Sequence, residues 1–346
     1  MVKRSLLTLT VVIVCVVACA SDSIGARPNC AAMIEYVGQE NLSALESVDV
    51  WENKYGPGLK LTTAHYEIFT TFLDPVTLRR CPGFMESVYR AYNSQLPEPI
   101  ETQNKLTIYL FGDRGQWEDF TRDFAGEEAH MFCRIKAGAY YHNGACVAYD
   151  IGPQRTLSVL GHEGWHQFNG RHFKFRLPSW FDEGVAMLFE TNGSEQGTFG
   201  LEPAKDAYRL STLKRTLANN EMVPLRDLIA SNPGQVLATD RTEAVMAFYS
   251  QSYALVRFLR EADSARRLGA YYRLLADGLH GDWPLDTESR NIAADRNIPR
   301  NILWNHIVSL VLFENYVGDN YEQIEKEYLA FCRQITAPGE IRGTKN

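Results

Sequence analysis

The sequence predicts an α+β fold, in which a strand-rich part is followed by a mainly helical part. Segments rich in β-forming residues come first, at 59–72, 105–111 and 137–149, and from residue 154 onward apolar residues recur at helical spacing. Strands followed by helices are typical of an α+β domain. The chain has 346 residues, of which 45% are hydrophobic and 22% charged, so disordered and collagenous proteins are excluded.

Each element has its own local signal. Before residue 154 we expect strands at 59–72 and 105–111, helices at 75–96 and 117–124, and a strand pair at 137–149. The strand pair contains Asn143-Gly144, a dipeptide that favours a tight hairpin turn. Beyond it, we expect helices at 154–169, 180–191, 241–262, 264–277 and 321–335.

The N-terminal segment, residues 1–19, resembles an export signal. Lys3 and Arg4 precede an apolar stretch, Leu6 to Ala18, that is too short to span a bilayer comfortably. The stretch ends in Val-Val-Ala-Cys19, which is similar to a bacterial lipobox and predicts lipid attachment at Cys19. The same residues also fit an ordinary Ala-x-Ala cleavage site, so plain secretion is the alternative. Both interpretations place the mature chain outside the cytoplasm.

The remaining chain divides into a spacer, one domain and a tail. Residues 20–57 show little periodicity and end at the breaker run Gly-Pro-Gly58, so we expect a spacer there. The domain is expected at 58–335, with its helical part starting at 153, and the tail at 336–346. Lys and Arg total 35 against 42 Asp and Glu, without any basic block, which argues against a nucleic-acid partner. Any membrane attachment is expected through the lipid anchor, and the sequence leaves the oligomeric state open.

Five cysteines follow the signal segment. Cys133 and Cys146 flank the predicted hairpin, so a disulfide between them is one of two open outcomes. The odd count leaves at least one thiol outside such a pair. Because no C-x-x-C pair occurs, a zinc cluster built from cysteines is not expected. The five are Cys30, Cys81, Cys133, Cys146 and Cys332.

The chemistry is concentrated in the sequence His162-Glu163-Gly-Trp-His166. On a helix, positions four apart lie on one face, so both imidazoles can point at one ion. Glu163 then lies beside the metal, where it can accept a proton from an activated water and pass it to a leaving amine. Gly161 and Gly164 each cost about 1 kcal/mol in a helix relative to Ala. Their presence indicates that another backbone or a substrate approaches closely.

A catalytic zinc site needs a third protein ligand, with the fourth position left to water. The segment 177–190, LPSWFDEGVAMLFE, supplies a candidate in Glu183. Ser179 and Asp182 fit a capping box, which predicts a second helix starting at about Trp180 with Glu183 in its first turn.

HEGWHQFNG followed by LPSWFDEGVA resembles the gluzincin clan of zinc metallopeptidases, whose pattern is HExxH, a short gap and a W-x-x-E-G-x-A helix. Within that clan the sequence is similar to the bacterial envelope proteins often called peptidase-MA-like domains. The motifs cover only residues 162–190. By position, the resemblance implies zinc held by His162, His166 and Glu183, with Glu163 as the general base.

The resemblance also implies a zincin-like fold, whose edge strand, at about 137–141, aligns the substrate by β-augmentation. Thermolysin-like members have an Asp four residues after the second His, whereas this chain has Gly170. Another group must therefore orient His166.

A second spacing competes for the third ligand. HEGWHQFNGRH also fits the metzincin pattern, in which His172 would be the ligand and Asn169 would stand at the usual Gly. That interpretation leaves the W-x-x-E-G-x-A helix unexplained and finds no persuasive Met-turn. The sequence therefore favours Glu183.

Such sites usually need a donor that stabilises the tetrahedral intermediate, and in the resembling family it is often a Tyr or His from a later helix. Tyr249 shares a helical stripe with Val245, Ser252 and Val256, which makes it the candidate. A core tyrosine with a bonded hydroxyl is the alternative. Glu190 is expected to be a surface carboxylate.

Together these features predict a secreted or lipid-anchored zinc metallopeptidase that acts on peptide or protein in the cell envelope. A cell-wall peptide hydrolase and an inactive zincin that serves as a binding lipoprotein remain the alternatives. The intact Glu163 favours activity.

Overall fold

The computed structural model describes residues 30–39, 42–136, 138–190, 199–202, 206–233, 242–262, 265–298 and 300–337. These residues belong to two compact units. The sheet unit comprises the described residues up to His172, together with Phe189, Glu190 and 199–201. The helical unit comprises Phe173–Leu188 and the described residues from Glu202 onward.

The sheet unit contains six strands and five α-helices among its described residues. In order they are α1 Cys30–Gln39, β1 Leu45–Val50, β2 Leu59–Thr63, β3 Tyr66–Thr70, α2 Pro75–Asn93, β4 Leu106–Phe111, α3 Arg114–Ala125, α4 Ala129–Phe132, β5 Ala139–His142, β6 Ala145–Tyr149 and α5 Pro153–His172. The strand order in the sheet is β1-β2-β3-β4-β6-β5. β3, β4 and β6 are mutually parallel, while β1, β2 and β3 run antiparallel in turn and β5 runs antiparallel to β6. This mixed sheet with surrounding helices confirms the α+β class.

The alternating strands explain where the sheet's core lies. β2 and β3 have buried and partly exposed residues in strict alternation, as expected for strands with one covered face. Leu59, Leu61 and Ile68 are among the buried members. α2 packs against β2, and α5 packs against α2, β5 and β6. The helix that contains the HExxH sequence is therefore held by the sheet and by a second helix.

The predicted hairpin is confirmed at 139–149. Asn143 and Gly144 connect β5 to β6 with φ angles of +46° and +82°, the left-handed pair that a two-residue type I′ turn requires. Of the two outcomes left open for the cysteines that flank it, the structure has the one without a disulfide: Cys133 and Cys146 are both free. Cys133 follows the short helix α4 and does not lie on β5, and the residue opposite Cys146 is Tyr141.

The predicted spacer is also wrong, because α1 and β1 lie within residues 20–57. β1 is an edge strand that pairs only with β2, and none of its side chains is fully buried. An edge strand held mainly by backbone hydrogen bonds has no need of alternating apolar residues. The sequence therefore contained no periodic signal there.

The helical unit begins with a non-helical segment, 173–178, and its described residues form helices and no strands. They are α6 Ser179–Ala186, a 3₁₀ turn Met187–Phe189 that continues into the sheet unit, α7 Ala207–Ala218, α8 Leu225–Ala230, α9 Thr242–Glu261, α10 Ala265–His280, α11 Thr287–Ala294, α12 Ile302–Trp304, a π-helical turn Asn305–Ser309, α13 Leu310–Tyr316 and α14 Tyr321–Thr336. α9 packs against α6, α7 and α10. In the part of the chain that the structure describes, the helices are too short or too polar to cross a bilayer.

Candidate metal centre

α5 places the two histidines of the HExxH sequence on one face, as their spacing predicts. His162 and His166 are both buried, and their Nε2 atoms lie 3.2 Å apart. Two nitrogens bound to one tetrahedral zinc at about 2.0–2.1 Å would be about 3.3–3.4 Å apart. The spacing of the two imidazoles therefore fits a shared divalent cation.

The glycines of α5 allow close approaches by protein groups. A Cβ on Gly161 would lie 2.5 Å from the carbonyl oxygen of Phe189, and a Cβ on Gly164 would collide with the hydroxyl of Tyr92. That hydroxyl, from α2, donates a 2.5 Å hydrogen bond to the carbonyl of Gly161. The cost of two glycines in a helix is thus offset by contacts that fix α5 just beside its histidines.

Glu190 lies against the first histidine, a placement that the sequence reasoning missed. Its Oε1 lies 2.8 Å from Nδ1 of His162, and its side chain is 9% exposed. A carboxylate beside Nδ1 favours the tautomer with the proton on Nδ1, which leaves the lone pair of Nε2 for a metal. Ser158, one helical turn before His162, donates to the Glu190 carbonyl at 2.6 Å.

The expectation that Glu190 is a surface carboxylate is therefore wrong, and the reason is local. The predicted helix 180–191 in fact ends at Ala186 and continues as a 3₁₀ turn, Met187–Phe189. This change of pitch moves the positions that follow away from those of a regular α-helix. The sequence did contain one signal for this placement of Glu190, which is that a carboxylate follows soon after the helix predicted to contain Glu183.

We expect Glu190→Gln to weaken metal binding about tenfold, because carboxylates that support metal-binding histidines typically contribute 10–100-fold to affinity. Gln keeps the size of the side chain but removes its charge, so the imidazole becomes a weaker donor. Competition against a chelator of known affinity measures the change. Glu128→Gln is a matched control, since Glu128 lies 3.7 Å from a histidine outside the ligand group, His142. Equal affinities for both variants would contradict the assigned role.

α6 places Glu183 in its first turns with 1% of the residue exposed. The predicted capping box is wrong, because the helix begins at Ser179 after Pro178 and has no side-chain cap. Asp182 instead accepts a 2.8 Å hydrogen bond and ion pair from Nη1 of Arg300. A hydrogen bond between a carboxylate and a guanidinium is stronger than one between a carboxylate and a backbone N–H. The Asp182 side chain is therefore more stable beside Arg300 than at the start of the helix.

The glycine after Glu183 has a packing reason. A Cβ on Gly184 would lie 2.5 Å from both the carbonyl oxygen of Ser252 and the Val256 side chain, on α9. The E-G pair of the motif therefore combines a candidate ligand with a position at which the neighbouring helix touches the α6 backbone.

His162, His166 and Glu183 form a buried group of possible metal ligands, each offering one ligand atom, with all three atoms within 4.8 Å of one another. The structure thus brings together the three residues that the sequence predicts. Two imidazoles and one carboxylate are the donors of a common class of catalytic zinc site, and they also suit other borderline divalent metals.

Glu163 is completely buried beside this group. Its charge contributes to the environment of two further buried side chains in the sheet unit. Burial raises the pKa of Tyr92 well above its ordinary value, and the Glu163 carboxylate adds to that rise. The same two causes, in the same order, raise the pKa of the Cys146 thiol. Both neighbours therefore remain neutral at pH 7, and Glu163 is set in a surrounding of low polarity.

His172, the alternative third ligand, does not belong to the group. Its Nε2 lies 2.8 Å from Oγ1 of Thr102, and its ring packs against Phe168. Burial, followed by the nearby charge of Arg171, lowers the pKa of His172 to about 4. His172 is therefore a neutral imidazole at pH 7, and its hydrogen bond with Thr102 holds it at the end of α5.

Tyr249 lies in α9 with 2% of the residue exposed, and Val245, Ser252 and Val256 of its predicted stripe are buried too. The guanidinium of Arg209, from α7, lies 5.5 Å from the centroid of the Tyr249 ring. A cation over the face of the ring stabilises it in this position. These contacts fit a core tyrosine, and its role as an oxyanion donor stays a prediction.

The edge strand expected near the site is present as β5, which begins at Ala139. A Cβ on Gly170 would touch the ring of Tyr141, so β5 lies against the C-terminal end of α5. A cavity of about 510 Å³ opens there, between the β5–β6 turn and α5, and Asn143, Gln167 and Arg171 are among its lining residues. Leu106, Thr107 and Tyr109 of β4 also line it, and Tyr141 is its lining residue from β5, so the cavity lies by the β5–β6 turn and the start of β4.

Comparison of the sequence with models of known protein families, and with curated proteins, gives no match.

Proposed function

We propose that this chain is a zinc-dependent peptidase with a zincin-like fold. The observation that supports the proposal most is the buried His162, His166 and Glu183 group. An HExxH helix followed by a glutamate helix is what the gluzincin resemblance implies, and these are the side chains it names. Zinc bound there would supply a Lewis acid that polarises a peptide carbonyl and lowers the pKa of water.

Three residues of the chain have distinct tasks in this proposal. Glu163 accepts the proton of the attacking water and passes it to the amide nitrogen that leaves. Glu190 holds His162 in the tautomer and orientation that a ligand needs, through the 2.8 Å contact at Nδ1. Tyr249 is the proposed donor to the developing oxyanion.

The proposed substrate is a peptide or an unfolded protein segment bound in extended form. β5 is an edge strand among the described residues, and an edge strand is the element to which an extended peptide can be added by β-augmentation. The cavity beside the β5–β6 turn, which Asn143, Gln167 and Arg171 help to line, offers polar groups close to one end of that strand.

A mixed peptide library tests this function. Zinc-loaded protein is incubated with the library, and mass spectrometry identifies new termini; Glu163→Gln protein and chelated wild type serve as blanks. We expect cleavage by the loaded wild type alone. Intact peptides, together with cleavage of isolated cell-wall peptides, would instead support the cell-wall hydrolase alternative. Binding of peptides without cleavage of either substrate would support the inactive binding protein.

We further propose that the protein is exported and anchored by lipid at Cys19, a residue that lies outside the described part of the chain. In a bacterial host supplied with labelled palmitate, the wild type should become labelled and Cys19→Ala should not, because the thiol sulfur is the attachment point. Cys30→Ala is the matched control and should be labelled like the wild type. Equal labelling of the wild type and Cys19→Ala, or of neither, would contradict the anchor.

A further inference from the structure

Three arginines of the helical unit gather around the extended segment 173–177. Nη2 of Arg296 and Nη1 of Arg300 each donate a 2.8 Å hydrogen bond to a backbone carbonyl of this segment. Arg176 belongs to the segment itself. The sequence gives no sign of this cluster, because Arg176 is separated from the other two by more than a hundred residues.

Two carboxylates lie close to Arg176 and Arg300. Asp182 pairs with Arg300 at 2.8 Å, and Asp295 adds a weaker attraction at Arg176. Burial first, and then the like charges of Arg300 and Arg296, lower the pKa of Arg176 to about 9. At pH 7 the guanidinium is still cationic, so the cost of burying it beside like charges remains.

The side chain of Arg176 offers donors that no group in the described part of the chain accepts. The residue is 8% exposed, and its Nε and Nη2 atoms are fully buried without a hydrogen-bond partner, as is Nε of Arg300. Nε–H and Nη2–H lie on the same edge of a guanidinium and point in parallel, which is the fork that binds two oxygens of a carboxylate or a phosphate. The face of the Arg176 guanidinium lies 5.5 Å from the ring centroid of Trp304, so the ring limits its rotation.

We propose that Arg176 and Arg300 form a binding site for a small oxyanion, with two of its oxygens on the Nε and Nη2 edge of Arg176. The ligand class is a tetrahedral oxyanion or a carboxylate, both of which present two oxygens at the required spacing. Such an anion places negative charge beside the buried guanidinium of Arg176 and satisfies donors that are otherwise costly to bury. Because Arg300 also holds Asp182, the residue before Glu183, the anion stabilises the segment that leads into α6.

The test is calorimetric titration of the full-length protein with sodium sulfate and with sodium acetate, at constant ionic strength in a chloride background. We expect the wild type to bind at least one of the two anions. Arg176→Met should weaken that binding more than tenfold, and Arg176→Lys, which keeps the charge but lacks the fork, should also weaken it. Arg333→Met removes an exposed arginine and should bind like the wild type.

The comparison of variants separates this site from other places where an anion can bind. Anion bound at the metal or on the general surface would be retained in Arg176→Met, and that result would overturn the proposal, as would the absence of binding to the wild type. Tighter binding of sulfate indicates a tetrahedral oxyanion, and tighter binding of acetate indicates a carboxylate. If Arg176→Met does not fold, Arg176→Lys still decides between these outcomes.

Discussion

Glu163→Gln protein should keep its metal and lose about a hundredfold to ten-thousandfold in hydrolysis, the range typical of a general base. Gln preserves the size of the buried side chain, but its amide cannot accept the proton of the attacking water. Rates on a peptide identified in the library measure the loss, and metal content per chain shows that the site is intact. The residue lies between the two candidate histidine ligands in the sequence and is fully buried.

Glu98→Gln is a suitable control for that experiment. Glu98 is exposed in the sheet unit, and the same change of charge there should leave the rate unaltered. Wild-type rates for Glu163→Gln at full metal loading would show that the base is a different group.

Glu183→Ala should empty the metal site at micromolar free zinc, whereas His172→Ala should leave it filled. Removing a ligand loses much of the binding free energy, and removing a neighbour does not. His172 is bonded to Thr102, so its loss should cost only about 1 kcal/mol of folding stability. Zinc content after dialysis against a buffered zinc solution, with circular dichroism to confirm folding, measures both effects.

The opposite result would change the ligand set. A zinc-replete Glu183→Ala protein beside an empty His172→Ala protein would favour the metzincin spacing. If both variants stayed replete, neither ligand set would hold the metal, and the peptidase proposal would lose its main support.

The members of the buried His162, His166 and Glu183 group were predictable because each depends on local spacing. His162 and His166 are one helical turn apart within a single helix, so their common face follows from helix geometry alone. Glu183 followed from its place in the W-x-x-E-G-x-A sequence, even though the capping box used to start its helix was wrong. The pairing of Asp182 with Arg300 connects residues 118 positions apart, and such distant partners have no periodic trace in the sequence.

The elements of the fold that were missed also depend on features that leave no periodic pattern in the sequence. β1 needs only the backbone of β2, so its apolar pattern is weak. Glu190 reaches His162 because a helix tightens into a 3₁₀ turn at Met187, which a regular helical pattern cannot anticipate. Elements with a buried, periodic face, such as β2, β3 and α5, appear at or near their expected positions.

The most direct test of the zinc peptidase proposal is a titration of the metal-free wild type with zinc while peptide hydrolysis is followed. If His162, His166 and Glu183 form one catalytic zinc site, the rate should rise from zero in proportion to added zinc and stop rising at about one equivalent per chain. Hydrolysis by the metal-free protein, or a fully loaded protein that cleaves none of the peptides in a mixed library, would contradict the proposal that this chain is a zinc peptidase.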